Sequence, residues 1–198
     1  MSKHVSHKDF FTIIIAVVIM ALITSFIFIQ RMNIKEYSLD DLDIDYQLLT
    51  INDYSRPGIS LNEINGIVIH YTANPGTTAQ ENRNYFEDLQ YTQLTYASSH
   101  YIIGLDGEII QCIPLDEIAY ASNNRNEDTI SIECCHEDSS GEFNDETYES
   151  LQNLVRALMS TYNLDKDDIL RHYDITGKEC PKYFVDHEDA WGEFLDSL

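Results

Sequence analysis

Residues 10–29 read FFTIIIAVVIMALITSFIFI, twenty positions without a charge. At about 1.5 Å per residue such a run, if helical, covers a hydrocarbon core of about 30 Å. It is apolar all round, so it does not suit one face of a domain core. A cleaved signal peptide is the competing reading. Those apolar cores usually run to about 7–15 residues and precede a small-residue cleavage site. No A-x-A follows here. The expectation is therefore a retained transmembrane helix over 10–30. Lys3 and Lys8 precede the run and Arg31 and Lys35 follow it, so a Lys and Arg count does not orient it. The short tail 1–9 cannot hold a domain, and the region beyond Lys35 is heavily acidic. This places the tail in the cytoplasm and the bulk of the chain outside the cell membrane.

The chain has 12 Lys and Arg against 34 Asp and Glu, a net charge of −22. The first thirty-one residues hold three of the bases and one acid, leaving the remainder at −24. Nucleic acid and anionic lipid surfaces are excluded as partners, because both are polyanions. Residues 31–49 read as an acidic stalk, and Arg56-Pro57-Gly58 marks a turn soon after the start of a domain expected over 50–198.

Within that domain Ile67, Val68 and Ile69 are consecutive apolar residues, which suits a strand covered on both faces. Residues 79–90 carry Tyr85, Phe86 and Leu89 at helical spacing. HYIIGLDGEIIQCIP predicts a hairpin around Asp106-Gly107, and TISIECC predicts a further strand. Over 145–162 a stripe of Tyr148, Leu151, Val155, Leu158, Met159 and Tyr162 predicts a helix capped by Asn144. A last helix is expected over 187–197, burying Trp191 and Leu195. Strands interleaved with helices predict an α/β fold with a central mixed β-sheet flanked by helices.

His70 ends the first strand, and His172 and Cys180 lie eight apart. Imidazole and thiolate both suit Zn²⁺, and three protein ligands leave a fourth position for water. The spacing itself contains neither CxxC nor HExxH. A strand histidine satisfied in a core, and a buried thiol before Pro181, account for the same residues. His100 is either a cleft residue or a hydrogen-bonding strand residue. Cys134, Cys135 and His136 are adjacent, so alternation along a strand keeps them from converging on one ion. For the same reason at most one of Cys134 and Cys135 can face Cys112 in a disulfide. His4, His7 and His187 read as solvated.

GIVIHYTANPG, SSHYIIGLDGEIIQCIP, TISIECC and RHYDITGKECP occur in that order. Together they resemble the zinc-dependent N-acetylmuramoyl-L-alanine amidases, the family of bacteriophage T7 lysozyme, prophage endolysins of bacilli and the peptidoglycan recognition proteins. The resemblance spans roughly residues 50–198 and implies that family's fold. It implies zinc held by His70, His172 and Cys180, and a lysine two residues before the cysteine, Lys178. It also implies the endolysin branch's strand glutamate, Glu133, as the catalytic carboxylate. The phage lysozyme branch has a tyrosine where this chain has Ser99, and that role is not transferred to Tyr101. The implied reaction is hydrolysis of the amide between N-acetylmuramic acid and L-alanine in peptidoglycan.

The chemistry can be argued beside the resemblance. A thiolate ligand lowers the charge of a divalent centre to +1. A nearby ammonium such as Lys178 would partly restore the positive field where an amide oxygen becomes negative. Glu133 is an ionisable group in an otherwise apolar strand, and its bland alternative is pairing with a surface base. Asn74, Thr77, Asn123 and Asn124 offer neutral hydrogen-bonding groups in loops, suited either to a cell-wall ligand or to turn chemistry. Two rivals differ in class. One is a peptidoglycan-binding module that does not cut, against which Cys180 argues. The other is a cysteine hydrolase with Cys180 as nucleophile and His172 as its base.

Overall fold

The computed structural model describes residues 15, 17–21, 23–25 and 37–198. The chain divides into two units, Met1–Glu36 and Tyr37–Leu198. In the first, the described residues are helical, and Ile15, Val17, Val18, Ile19, Met20 and Ile23 are all exposed. Among the described residues no helix is long and apolar enough to cross a membrane. Most of the expected span 10–30, and the whole tail 1–9, lie outside the described residues.

The second unit is built on six strands: β1 (Ile44–Tyr46), β2 (Ile67–Tyr71), β3 (Tyr101–Ile103), β4 (Ile109–Gln111), β5 (Ile130–Cys134) and β6 (Ile169–Arg171). Their order across the sheet is β1-β4-β3-β5-β2-β6. Only β3 and β4 pair antiparallel, as the two arms of the expected hairpin; every other pairing is parallel. Gly107 closes that hairpin at φ 77°, a left-handed conformation that glycine adopts without steric cost. The sheet is mixed, as the sequence predicts.

Two principal helices cover its two faces. Helix α1 (Ala79–Thr92) places Ala79, Phe86 and Leu89 against Ile102, Ile110, Cys112 and Cys135. It starts at a capping box, in which Thr78 accepts from the Glu81 amide while the Glu81 carboxylate accepts from the Thr78 amide. Helix α2 (Asp145–Tyr162) packs Leu151, Leu154, Val155 and Leu158 against Ile67, Ile69, Ile103, Ile130 and Ile132. Its bounds are those the apolar stripe predicts, with Asn144 accepting from the Thr147 amide. Those four α2 side chains are fully buried, each contributing roughly 1.5–3 kcal/mol. Three short helices close the chain: α3 (His172–Thr176), α4 (Lys182–Asp186) and α5 (Glu188–Ser197). The last matches the expected final helix and buries Trp191 and Phe194, while Leu195 is only partly buried.

The acidic stalk expected over 31–49 needs correction. Ile44–Tyr46 is an edge strand paired with β4, and Leu49 is 1% exposed. Asp43 and Asp45 are exposed while Ile44 between them is buried, so a short strand with one buried residue is hidden within an acidic composition. Arg83 on α1 fastens the segment by donating to the carbonyls of Gln47 and Leu48. All four cysteines are free. Cys134 and Cys135 belong to opposite faces of the sheet, with Cys112 on the side of Cys135.

Candidate metal centre

Parallel pairing of β2 with β5 sets His70 directly beside Glu133. Alternation sends Ile67, Ile69, Ile130 and Ile132 into the α2 face, so His70 and Glu133 emerge together on the other. Strand β6 lies on the far side of β2 and runs straight into α3, whose first residue is His172. Gly177 ends α3 at φ 75°, and the chain folds back until the Tyr173 amide donates to the Cys180 carbonyl at 2.9 Å. This return brings Cys180 under His70. Arg171 locks the whole turn. Its guanidinium donates to Asp174, to Glu188 and to the Phe184 carbonyl, tying β6 to α4 and α5.

His70, His172 and Cys180 are all buried, and one donor atom from each lies within 4.8 Å of the others. The Cys180 sulfur is 3.8 Å from His70 Nδ1, and the two imidazoles meet edge to face at 4.7 Å between centroids. Each ring is held from behind by the β4–β5 connection. His70 Nε2 lies 3.3 Å from Ser122 Oγ, and His172 Nε2 lies 3.0 Å from Asn123 Oδ1. The Asn123 carbonyl oxygen can only accept, so it fixes the proton of His172 on Nε2. His172 Nδ1 is then a buried lone pair with no partner among the described residues. Burial holds His70 well below 6.5, with the charges of His172 and Lys178 adding to the effect. Burial and Lys178 lower His172 in the same way. Both rings are thus neutral donors. Two imidazole nitrogens and one thiol, pointed at one another and tied through their outer atoms, fit a Zn²⁺ ion.

Glu133 is partly exposed, but its Oε2 is enclosed and has no hydrogen-bond partner among the described residues. Burial pushes its carboxyl up to about 8 against the opposing charge of Lys178. Lys178 is exposed, and its charge acts on His70, His172, Glu133 and Cys180 alike. His70, His172, Cys180 and Glu133 therefore meet at one place, and the charge of Lys178 acts on all four.

Other sequence candidates lie elsewhere or act differently. His100 is buried between Ser131 Oγ and the Glu117 carbonyl, each at 3.0 Å, and is a core hydrogen-bonding residue rather than part of a cleft. Tyr101 is in register with Ile132 and packs in the α2 core, on the far side of the sheet from Glu133. His136 Nδ1 pairs with the Asp138 carbonyl, apart from Cys134 and Cys135. Ser122 was not a sequence candidate, and Asn123 was one for a different role. Polar residues in a turn signal nothing by themselves; only their position behind the imidazoles gives them a part.

Known proteins resemble this chain in sequence and in fold. A "Probable N-acetylmuramoyl-L-alanine amidase" from Bacillus licheniformis is 37% identical over 147 residues, covering 68% of this chain and 41% of that protein. N-acetylmuramoyl-L-alanine amidase BlyA from Bacillus subtilis (strain 168) is 35% identical, covering 76% of this chain and 45% of its own. The chain thus spans less than half the length of these curated relatives. Among solved structures, the catalytic domain of XlyA superposes with a TM-score of 0.66 at 26% identity, covering 79% of this chain and 99% of that one. PlyL gives 0.66 at 28% identity, covering 78% and 96%. A family model described as N-acetylmuramoyl-L-alanine amidase matches residues 60–183, a stretch that runs from before β2 to beyond Cys180. The chain belongs to the N-acetylmuramoyl-L-alanine amidase family.

Proposed function

We propose that this chain hydrolyses the amide joining the lactyl group of N-acetylmuramic acid to L-alanine of the peptidoglycan stem. The observation that carries the reading is the convergence of His70, His172 and Cys180 with Glu133 alongside, in a chain of this family. His70, His172 and Cys180 would hold Zn²⁺. When bound, the ion supplies Lewis acidity and positive charge beside the scissile carbonyl.

The remaining steps belong to the chain's own side chains. Glu133 takes a proton from the attacking water and passes it to the nitrogen of the leaving amine. Burial pushes its carboxyl up to about 8, so it holds a proton far more readily than an exposed carboxylate, as the proton-delivering half of that transfer needs. Lys178 places a positive charge near the oxygen that becomes negative as water adds to the carbonyl. The C–N bond then breaks, leaving a lactyl carboxylate and a free amino terminus on L-alanine. Ser122 and Asn123 hold the imidazoles in position and touch no reacting atom.

A cysteine nucleophile is disfavoured. Cys180 is 1% exposed, and burial pushes its thiol up to about 12, the reverse of what an attacking thiolate needs.

The same reading takes residues 10–30 as a single-pass membrane anchor and 1–9 as a cytoplasmic tail, with the catalytic domain on the cell-wall side. Its support is the uncharged run 10–29. A tether suits a substrate that is large, insoluble and close to the membrane.

Incubating the full chain with purified cell-wall sacculi tests the activity. New amino-terminal alanine should appear, and Glu133→Gln should slow its release about 10²–10⁴-fold with bound metal unchanged. Equal activity in Glu133→Gln would remove the base assignment. A parent chain that sediments with sacculi but releases nothing would be a binding module.

A further inference from the structure

His70 is placed by the sheet itself, near the end of β2. His172 and Cys180 are not. They stand at the two ends of the excursion 172–180, whose helix α3 (His172–Thr176) is far too short to hold its own shape in water. A contact from outside the excursion has to fix its two ends relative to each other.

Arg171 makes that contact. Strand β6 sets it in register with Ile69, so its side chain enters the α2 face of the sheet, away from the centre. There the side chain is only 7% exposed. Its Nη2 donates to Asp174 Oδ1 and its backbone amide to Asp174 Oδ2, each at 2.8 Å, which holds the start of α3. Its Nη1 donates to the Phe184 carbonyl and to Glu188 Oε1, each at 2.8 Å, which holds α4 and α5, the elements that follow Cys180. The guanidinium also lies 5.4 Å from the centre of the Tyr173 ring and 5.3 Å from that of Trp191. One side chain thus joins the segment that carries His172 to the segment that follows Cys180. Only a planar fork of donors reaches these partners together; the single ammonium of a lysine would not.

We infer that Arg171 is a positioning residue for the metal ligands, setting His172 and Cys180 at the spacing an ion requires before the ion arrives. It acts from the opposite face of the sheet and takes no part in the chemistry. This inference rests on the zinc-amidase reading, because it concerns that reaction's metal.

Arg171→Met suits the test. It keeps an unbranched stem for packing, and the two carboxylates it releases are 29% and 67% exposed, so no buried charge is orphaned. When the full chain competes with a chelator for zinc, this variant should bind zinc about 10–100-fold more weakly than the parent. Asp174→Ala removes the α3 anchor alone. It should weaken binding about tenfold, and it carries the test if Arg171→Met does not fold. Leu49→Ala controls for stability alone. That residue packs against α1, so its loss should leave zinc affinity at the parent's value. Parental affinity in the folded Arg171 and Asp174 variants overturns the positioning role and leaves the zinc reading standing. An equal loss in Leu49→Ala assigns the effect to general stability and also overturns it. A parent that binds no zinc refutes both. A parent that holds zinc, loses affinity in Arg171→Met but not in Leu49→Ala, and releases no alanine from sacculi refutes the amidase reading and supports the positioning role.

Discussion

Each imidazole at the centre has one nitrogen engaged by the β4–β5 connection and the other turned toward Cys180 or left open. Asn123 sits at φ 55°, a left-handed conformation that asparagine tolerates better than most residues, and this aims its amide at His172. Asn123→Ala is expected to weaken metal binding about 10–100-fold, measured by chelator competition. Asn123→Asp keeps an acceptor and should retain most of the affinity. Unchanged affinity in the alanine variant would contradict the positioning role. His70, His172, Cys180, Glu133 and Lys178 were legible because their residue types carry the chemistry and recur in recognisable segments. Ser122 and Asn123 were not, because a serine or asparagine in a turn acquires meaning only from the ring packed on it. His100 belongs to the same lesson. Burial lowers it to about 4 while the unfolded chain protonates near 6.5. Between those values the unfolded state binds the extra proton, so stability falls as the pH drops from about 6.5 to 4, by about 3 kcal/mol. Denaturant titrations across that range should show the slope, and His100→Gln should flatten it.

At the scale of elements, legibility followed the length of the apolar pattern. Helix α2 offered a stripe over five turns, and its bounds agree with the structure. Strand β6 has three residues between a 3₁₀ turn and α3, too few to display a period, although it delivers His172. Strand β1 was masked by charge. Its single buried residue, Ile44, lies between two exposed aspartates, and net acidity read as a stalk what pairing with β4 makes an edge strand. Leu49 decides the point by experiment. It is 1% exposed against α1, so Leu49→Ala should cost about 2–5 kcal/mol in denaturant unfolding. A cost within about 0.5 kcal/mol would return the segment to the status of an appended tail.

For the whole molecule, the fold gathers residues separated by up to 110 positions, because β2 lies between β5 and β6 and each neighbour brings functional residues to its side. His70 comes from β2 itself, Glu133 from β5, and His172 with Cys180 from the turn after β6. The chain carries a net charge of −22, so anionic polymers would be repelled from it. The account depends most on the divalent ion that would join these distant side chains. Metal analysis of the purified full chain tests it directly. One zinc per chain should survive dialysis, and both the metal and the release of amino-terminal alanine should disappear in His70→Ala. Undiminished hydrolysis by a metal-free chain in the presence of chelator would contradict it.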